Sequence, residues 1–190
     1  ALSAQLYAPG VTHPDGPRRL QTFTTRPWPS WVYRLEDGTI IEQEIFVPKG
    51  IPAVVLSWRL RLRRSGVALT VRPFLSGRDY HAMHHENGSF RFGAEGRDER
   101  ITWRPYEGLP SIMSLSNGTY EHAPDWYRSF LYERERERGL DCTEDLAMPG
   151  VLHWDLSRGE ALWVLSAPAP AARALVAEAQ APGAGPGALE

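Results

Sequence analysis

The chain has 190 residues, 42% of them hydrophobic and 23% charged, with a net charge of −2. That length holds one domain, or one domain and a tail, and the apolar share builds a core without metal or disulfide staples. The balanced charge argues against the basic face of a nucleic-acid binder and against an anionic-membrane binder, and no apolar run nears the ~18 residues of a membrane span.

The predicted elements are mostly strands. Asp37-Gly38 marks a turn between Trp31-Val32-Tyr33 and a second arm in which Ile41, Ile45 and Val47 alternate with Glu42 and Glu44. From Val54 to Leu62 the apolar residues Val54, Leu56, Trp58, Leu60 and Leu62 recur with period two against Ser57, Arg59 and Arg61. Arg64-Ser65-Gly66 then turns the chain into Val67, Leu69 and Val71, which predicts a hairpin. Asn87-Gly88 predicts a second hairpin with arms through Met83 and Phe90-Arg91-Phe92. Glu133–Arg138 is the best internal helix: Glu133–Arg136 and Glu135–Arg138 pair at i,i+3, and Gly139 stops it. Val151–Leu156 and Ala161–Leu165 flank Ser157-Arg158-Gly159-Glu160 and predict a further hairpin. From residue 168 onward Ala, Gly and Pro dominate, so 168–190 reads as a linker leaving a domain of residues 1–167. Many short strands with turn signals predict an all-β, antiparallel sandwich with little helix. Trp58 and Trp103, in alternating strands, are assigned to the core.

Three residue sets carry candidate chemistry. His81, His84, His85 and Glu86 are metal-capable, but no helix holds them and no cysteine joins them, so they read as strand or loop histidines and no metal or cofactor is expected. Asp125, Asp141, Glu144 and Asp145 are acidic; glycoside hydrolysis needs two carboxyls flanking the scissile bond. The plainer reading is a loop whose carboxylates cap turns and pair with Arg134, Arg136 or Arg138. Seven Trp, seven Tyr and six Phe form the third set. Flat aromatics stack on the C–H faces of sugars, and Trp126-Tyr127 beside Asp125 and Arg128, Trp28 and Trp31, and Arg78-Asp79-Tyr80-His81 all suit that role, although most such rings are core. No phosphate-binding loop or Gly-x-Ser-x-Gly elbow is present. The single cysteine, Cys142, lacks a local protease signature and excludes an internal disulfide. It fits a reducing compartment, and a cytoplasmic location is the expectation. The chain opens on Ala1 without a signal-peptide pattern, which predicts a processed chain or a fragment.

Several segments, in order, resemble one family. They are Thr12-His13-Pro14-Asp15-Gly16, Pro27-Trp28-Pro29-Ser30-Trp31-Val32-Tyr33, Ile41-Glu42-Gln43-Glu44-Ile45, and Leu69–Leu75 followed by Arg78-Asp79-Tyr80-His81. The most specific run is Pro124-Asp125-Trp126-Tyr127 through Phe130-Leu131-Tyr132, then Arg138-Gly139-Leu140-Asp141, Glu144-Asp145-Leu146 and Pro149-Gly150. Together they resemble the N-terminal domain of the bacterial and archaeal type of glycogen debranching enzyme, the amylo-α-1,6-glucosidase family. The family pattern begins further upstream, with an Arg-Tyr-His-Gly-type segment, and often carries proline where this chain has Glu133.

The resemblance implies a β-supersandwich, as beside the catalytic barrels of related glucoamylases and maltose phosphorylases. It also implies a parent enzyme that cleaves α-1,6-glucosidic branch points of glycogen, with 4-α-glucanotransferase activity as a further option. The catalytic carboxylates would lie in a downstream (α/α)6 barrel, the domain's partner within the same parent chain, and none in this chain. Glycogen or a branched α-glucan is the expected ligand, with neither nucleic acid nor membrane as partner. Arg78, Asp79, Tyr80, His81, Asp125, Trp126, Tyr127, Asp141, Glu144 and Asp145 are then the candidate glucan-contact or interdomain residues. The polar, aromatic stretch from Asp125 to Asp145 suits a loop at an interdomain surface. The alternatives are a free-standing carbohydrate-binding module, an interaction scaffold with a large exposed apolar patch, and a self-contained enzyme.

Overall fold

The computed structural model describes residues 1–79, 82–97 and 99–167. These form fifteen strands, one short α-helix and one 3-10 turn. An eight-stranded sheet is built from β3 (Leu20–Thr24), β4 (Ser30–Arg34), β5 (Ile40–Phe46), β6 (Ala53–Leu60), β8 (Ala94–Arg97), β9 (Arg100–Trp103), β10 (Ile112–Ser116) and β15 (Ala161–Ser166). Its order is β3-β4-β5-β6-β15-β10-β9-β8, and every pair is antiparallel. A three-stranded sheet orders β11 (Thr119–Glu121), β14 (Val151–Asp155) and β7 (Ala68–Val71). A four-stranded sheet orders β13 (Thr143–Met148), β12 (Asp125–Leu131), β1 (Gln5–Tyr7) and β2 (Val11–His13). Past the end of β7, Leu75 exchanges both backbone hydrogen bonds with Ala147 of β13, at 2.8 and 3.0 Å, and so joins the two smaller sheets. The all-β antiparallel sandwich expected from the strand pattern is therefore observed.

Register explains the core. Ile41, Gln43 and Ile45 of β5 lie opposite Leu60, Trp58 and Leu56 of β6, so the period-two alternation places all of them on one face. Trp58, Ala161 and Trp163 from that face meet Leu69, Leu152 and Trp154 of the three-stranded sheet, with the Trp58 and Trp154 rings 6.1 Å apart. Further along, Ile101 and Trp103 meet Ala147 and Leu75 with Phe90 between them. Trp58 and Trp103 are both buried, as expected.

The turn at Asp37-Gly38 joins β4 to β5 as predicted: Gly38 takes φ +82°, and the Asp37 carboxylate accepts the Thr39 amide at 2.9 Å. The three other predicted hairpins need correction. β6 and β7 do not pair; β6 is bounded by β5 and β15, and the chain crosses after Leu60 to the opposite layer, where β7 pairs with β14. Likewise β14 and β15, only five residues apart, lie in different sheets. The reason is the same in both cases: Leu69 and Trp154 bury their apolar faces by facing Trp58 and Trp163 across the sandwich, not beside them. Asn87-Gly88 forms no strand hairpin. The Asn87 side chain accepts the Ser89 amide (3.1 Å) and donates to the His85 carbonyl (2.8 Å) and Tyr106 hydroxyl (2.8 Å), closing a local side-chain turn.

The predicted helix is present as α1 (Glu133–Glu137). Glu133–Arg136 (3.2 Å) and Glu135–Arg138 (3.4 Å) pair as expected, joined by Arg134–Glu137 (2.8 Å). Gly139 ends it at φ +71°, a left-handed conformation that favours glycine. Among the described residues no helix is long and apolar enough to cross a membrane. The predicted linker, 168–190, lies outside the described residues.

Candidate functional site: a buried ion pair beside a charged groove

The stretch expected to be an interdomain loop is instead regular. β12 and β13 pair antiparallel from Asp125 opposite Met148 to Leu131 opposite Thr143, with α1 in the connection between them. Pairing satisfies the backbone, and Phe130, Leu131, Ala147 and Met148 supply buried apolar contacts that a loop would leave in water. The ladder breaks once, between Tyr127 and Phe130. There Ser129 adopts φ +65°, the left-handed region in which a non-glycine residue is strained. Both of its backbone groups are held: its amide donates to Asp145 Oδ1 (2.9 Å), and its carbonyl accepts from Ala8 (2.8 Å).

Glu144 lies in β13 with its side chain 2% exposed. Arg78 grips it from the segment after β7, through Nε to Oε1 and Nη2 to Oε2 (3.3 Å). The Tyr132 hydroxyl donates to Oε2 (2.5 Å) and the His84 amide to Oε1 (3.1 Å). Burial alone would raise the Glu144 pKa, but the Arg78 guanidinium, the Tyr132 hydroxyl and the His84 amide together hold it below the ordinary glutamate value. Burial and the Glu144 carboxylate push the Tyr132 phenol up to about 12.

His84 is the hub of the adjoining cluster. Its Nδ1–H donates to the Asp145 carbonyl (2.9 Å), so its Nε2 accepts the Tyr106 hydroxyl (2.7 Å). Its ring lies 5.3 Å from Trp126 and 6.0 Å from Phe90. Asp145 also accepts the Glu86 amide (3.0 Å), and Glu86 pairs with Arg128. His85 stands 3.5 Å from Asp141 and 3.8 Å from Asp145.

The fold therefore gathers Arg78, Trp126, Asp141, Glu144 and Asp145 around the segment 84–86. Asp125 lies apart at the exposed start of β12, where its carboxylate accepts the next residue's amide (2.8 Å). Tyr127 stacks on Phe74 (4.7 Å). The Asp79 carbonyl accepts Arg78 Nη1 (3.3 Å) and the Ala82 amide (3.1 Å). Tyr80 and His81 lie outside the described residues. Arg134 and Arg136 are paired with glutamates of α1, and Arg138 with Glu135, so the expected pairing of the acidic set with these arginines does not occur. Glu144 takes the half-buried Arg78 instead, whose guanidinium, with the Tyr132 hydroxyl and His84 amide, offsets the desolvation of the buried carboxylate.

Sequence reasoning missed Tyr132, Tyr106 and Ser129. Tyr132 closes the Phe130-Leu131-Tyr132 motif, a signal that it has a role; nothing local marks Ser129 as left-handed. His84 was legible only as a loop histidine, and its central place comes from residues 22 and 61 positions away.

Beside this cluster runs a groove of about 880 Å³. Arg78 and Tyr132 form its inner wall, α1 supplies its charged wall, and Leu6, Met83 and Leu140 line it with apolar surface. Chemically the cluster is a clasp. Both Glu144 oxygens and both Asp145 oxygens accept hydrogen bonds from groups of the domain itself.

No curated protein matches the chain. Residues 1–163 match the family model described as glycogen debranching enzyme N terminal, in agreement with the antiparallel sandwich described above. That match spans most of the molecule, and the chain belongs to the glycogen debranching enzyme N-terminal domain family.

Proposed function

We propose that this domain is the non-catalytic brace of a glycogen debranching enzyme that hydrolyses α-1,6-glucosidic branch points. Residues 1–167 form the brace, 168–190 lead toward an (α/α)6 catalytic domain of the same parent chain, and the groove beside Arg78 faces that domain where it borders the glucan cleft. The observation that carries this reading is the commitment of the acidic cluster to structure: Glu144 and Asp145 hold Arg78, Tyr132, His84, Glu86 and Ser129 in place. Family membership supplies the parent reaction. The groove's mixture of apolar floor and paired charges suits a protein interface, since interdomain surfaces are more polar than cores.

Two measurements test the proposal. Incubated with a branched limit dextrin, this chain releases no glucose. Mixed with a separately produced debranching catalytic domain, it forms a complex that Leu140→Asp, a change to an exposed groove residue, weakens about tenfold, or ~1.4 kcal/mol. Glucose release that Glu144→Gln abolishes would establish a catalytic site here and overturn the reading.

A further inference from the structure

The smaller sheets pack on the face of the eight-stranded sheet that carries Trp58 and Trp163. Successive residues of a strand point to opposite faces, so Val55 and Val164 point the other way. Val55 lies opposite Phe46 on one side and Val164 on the other, and Val164 lies opposite Leu115. Direct cross-strand neighbours share a face, so these four side chains form one row on the far face. Ala53 and Met113, both opposite Ser166, form the next row. This second cluster is as dry as the first: Val55 is 1% exposed, Met113 and Val164 are each 2%, and Leu115 is 6%. The partly buried apolar residues against it, Phe46 and Ile51, belong to β5 and the β5–β6 connection; among the described residues none from the two smaller sheets joins it. Burial also takes in polar groups of the same face. Ser57 is buried, and Oε2 of Glu44 opposite it is buried without a hydrogen-bond partner among the described residues. A sheet face turned to water carries polar side chains and leaves them wet, so this one has a further layer over it.

We infer that residues 171–180 of the same chain are that layer, an amphipathic helix docked over Phe46, Val55, Val164 and Leu115. The chain leaves the sheet at this patch. β15 ends at Ser166, between Ala53 and Met113, and the Ala167 amide donates to the Pro52 carbonyl (3.3 Å). That point opens on an apolar groove of about 480 Å³ lined by Val47, Ile51, Ala53 and Ile112. The sequence that follows, Ala171-Ala172-Arg173-Ala174-Leu175-Val176-Ala177-Glu178-Ala179-Gln180, is rich in the best helix formers, with Pro170 before it and Pro182-Gly183 beyond it. At helical spacing Ala172, Leu175, Val176 and Ala179 share one stripe, while Arg173, Glu178 and Gln180 fall outside it. The dimensions agree. The row crosses four strands, about 14 Å at ~4.8 Å per strand, and a helix of this length is about 15 Å long and roughly 10 Å wide. Pro168-Ala169-Pro170 spans up to about 10 Å when extended, enough to climb from the sheet to a layer packed on it. Small alanines let the helix sit close to the sheet, and Arg173 and Gln180 at the margin of the stripe supply donors of the kind Glu44 Oε2 lacks. Neither the occupant nor its place depends on the parent reaction.

The test is NMR of this chain with its leucine and valine methyl groups labelled. The Leu175 and Val176 methyls show nuclear Overhauser contacts to those of Val55, Val164 and Leu115, and residues 171–180 show helical chemical shifts. Leu175→Asp removes these contacts and speeds amide exchange across 171–180 about tenfold or more, equivalent to ~1.4 kcal/mol. Leu189→Asp, in the same tail but outside the stripe, changes neither. Random-coil shifts over 171–180 in the unaltered chain, or the absence of those methyl contacts, overturns the inference. So do contacts that arise only between differently labelled chains, which would give the face to a second copy. Because docking to the catalytic domain is measured separately with Leu140→Asp, loss of one reading leaves the other standing.

Discussion

Glu144 is a carboxylate in the interior of a strand pair, and its stability depends on having every oxygen engaged. Arg78→Ala leaves that charge buried without its counter-ion and is expected to cost about 3–5 kcal/mol. Tyr132→Phe removes one hydrogen bond to a charged group and is expected to cost about 1.5–3 kcal/mol; urea unfolding at neutral pH measures both. A carboxyl whose folded pKa is lowered contributes stability above its unfolded pKa and loses it as pH falls through the folded value. The Arg78→Ala penalty should therefore shrink on acidification. Glu160 has the opposite sign. Burial, with the nearby Glu44 charge, raises its pKa against the opposing effects of Ser57 and Arg59. One of its oxygens is buried without a hydrogen-bond partner among the described residues. The neutral form is the one the fold accommodates, so stability falls as pH climbs above the ordinary glutamate range of about 4.3. Glu160→Gln should raise the melting temperature at neutral pH by a few degrees, equivalent to about 1 kcal/mol, and change little in acid.

At the scale of elements, the bulge in β12 concentrates strain and its relief in one place. Ser129 sits in the left-handed region, and Asp145 ties its amide and that of Glu86 to β13. Ser129→Gly removes the side-chain clash and should stabilise the domain by about 1 kcal/mol. Asp145→Ala removes the acceptor of two exposed amides, which water can replace in part, and should destabilise it by about 1 kcal/mol. Thermal melts of the two variants, measured together, give opposite signs if the bulge is held as described. The helix α1 was readable from sequence because its determinants are local: glutamate and arginine at i,i+3, then Gly139. The β6–β7 and β14–β15 connections were misread because Ser-Gly and Arg-Gly signal a change of direction only. They carry no information on whether the next strand stays in the same sheet or crosses the sandwich.

For the molecule as a whole, one side chain outside the tryptophan core links the layers. Asn117 Oδ1 accepts the Trp154 indole N–H and the Leu162 amide, both at 2.8 Å, and its Nδ2 donates to the Glu160 carbonyl at 2.8 Å. Trp154 belongs to the small sheet and Leu162 to the large one, so this amide bridges both. Asn117→Ala should cost about 2–4 kcal/mol, since it strands a buried indole donor and weakens the interlayer contact. Loss of near-ultraviolet tryptophan dichroism with retained far-ultraviolet signal would be its signature; an unchanged near-ultraviolet spectrum would show that the layers hold without it.

The sequence by itself determined the strands β4 to β7, β14 and β15, with their apolar faces, and the short helix. It also carried the family: period-two alternation, glycine stops and ordered motifs are properties of neighbouring residues. Only the tertiary structure decided which strands pair and which oppose. It alone turned Asp125–Asp145 from an expected loop into a strand pair and assigned Glu144 to Arg78 rather than to the helix arginines. The physical reason is that burial and ion pairing are settled by whichever groups meet in space, and Arg78 and Glu144 meet across 66 positions of sequence.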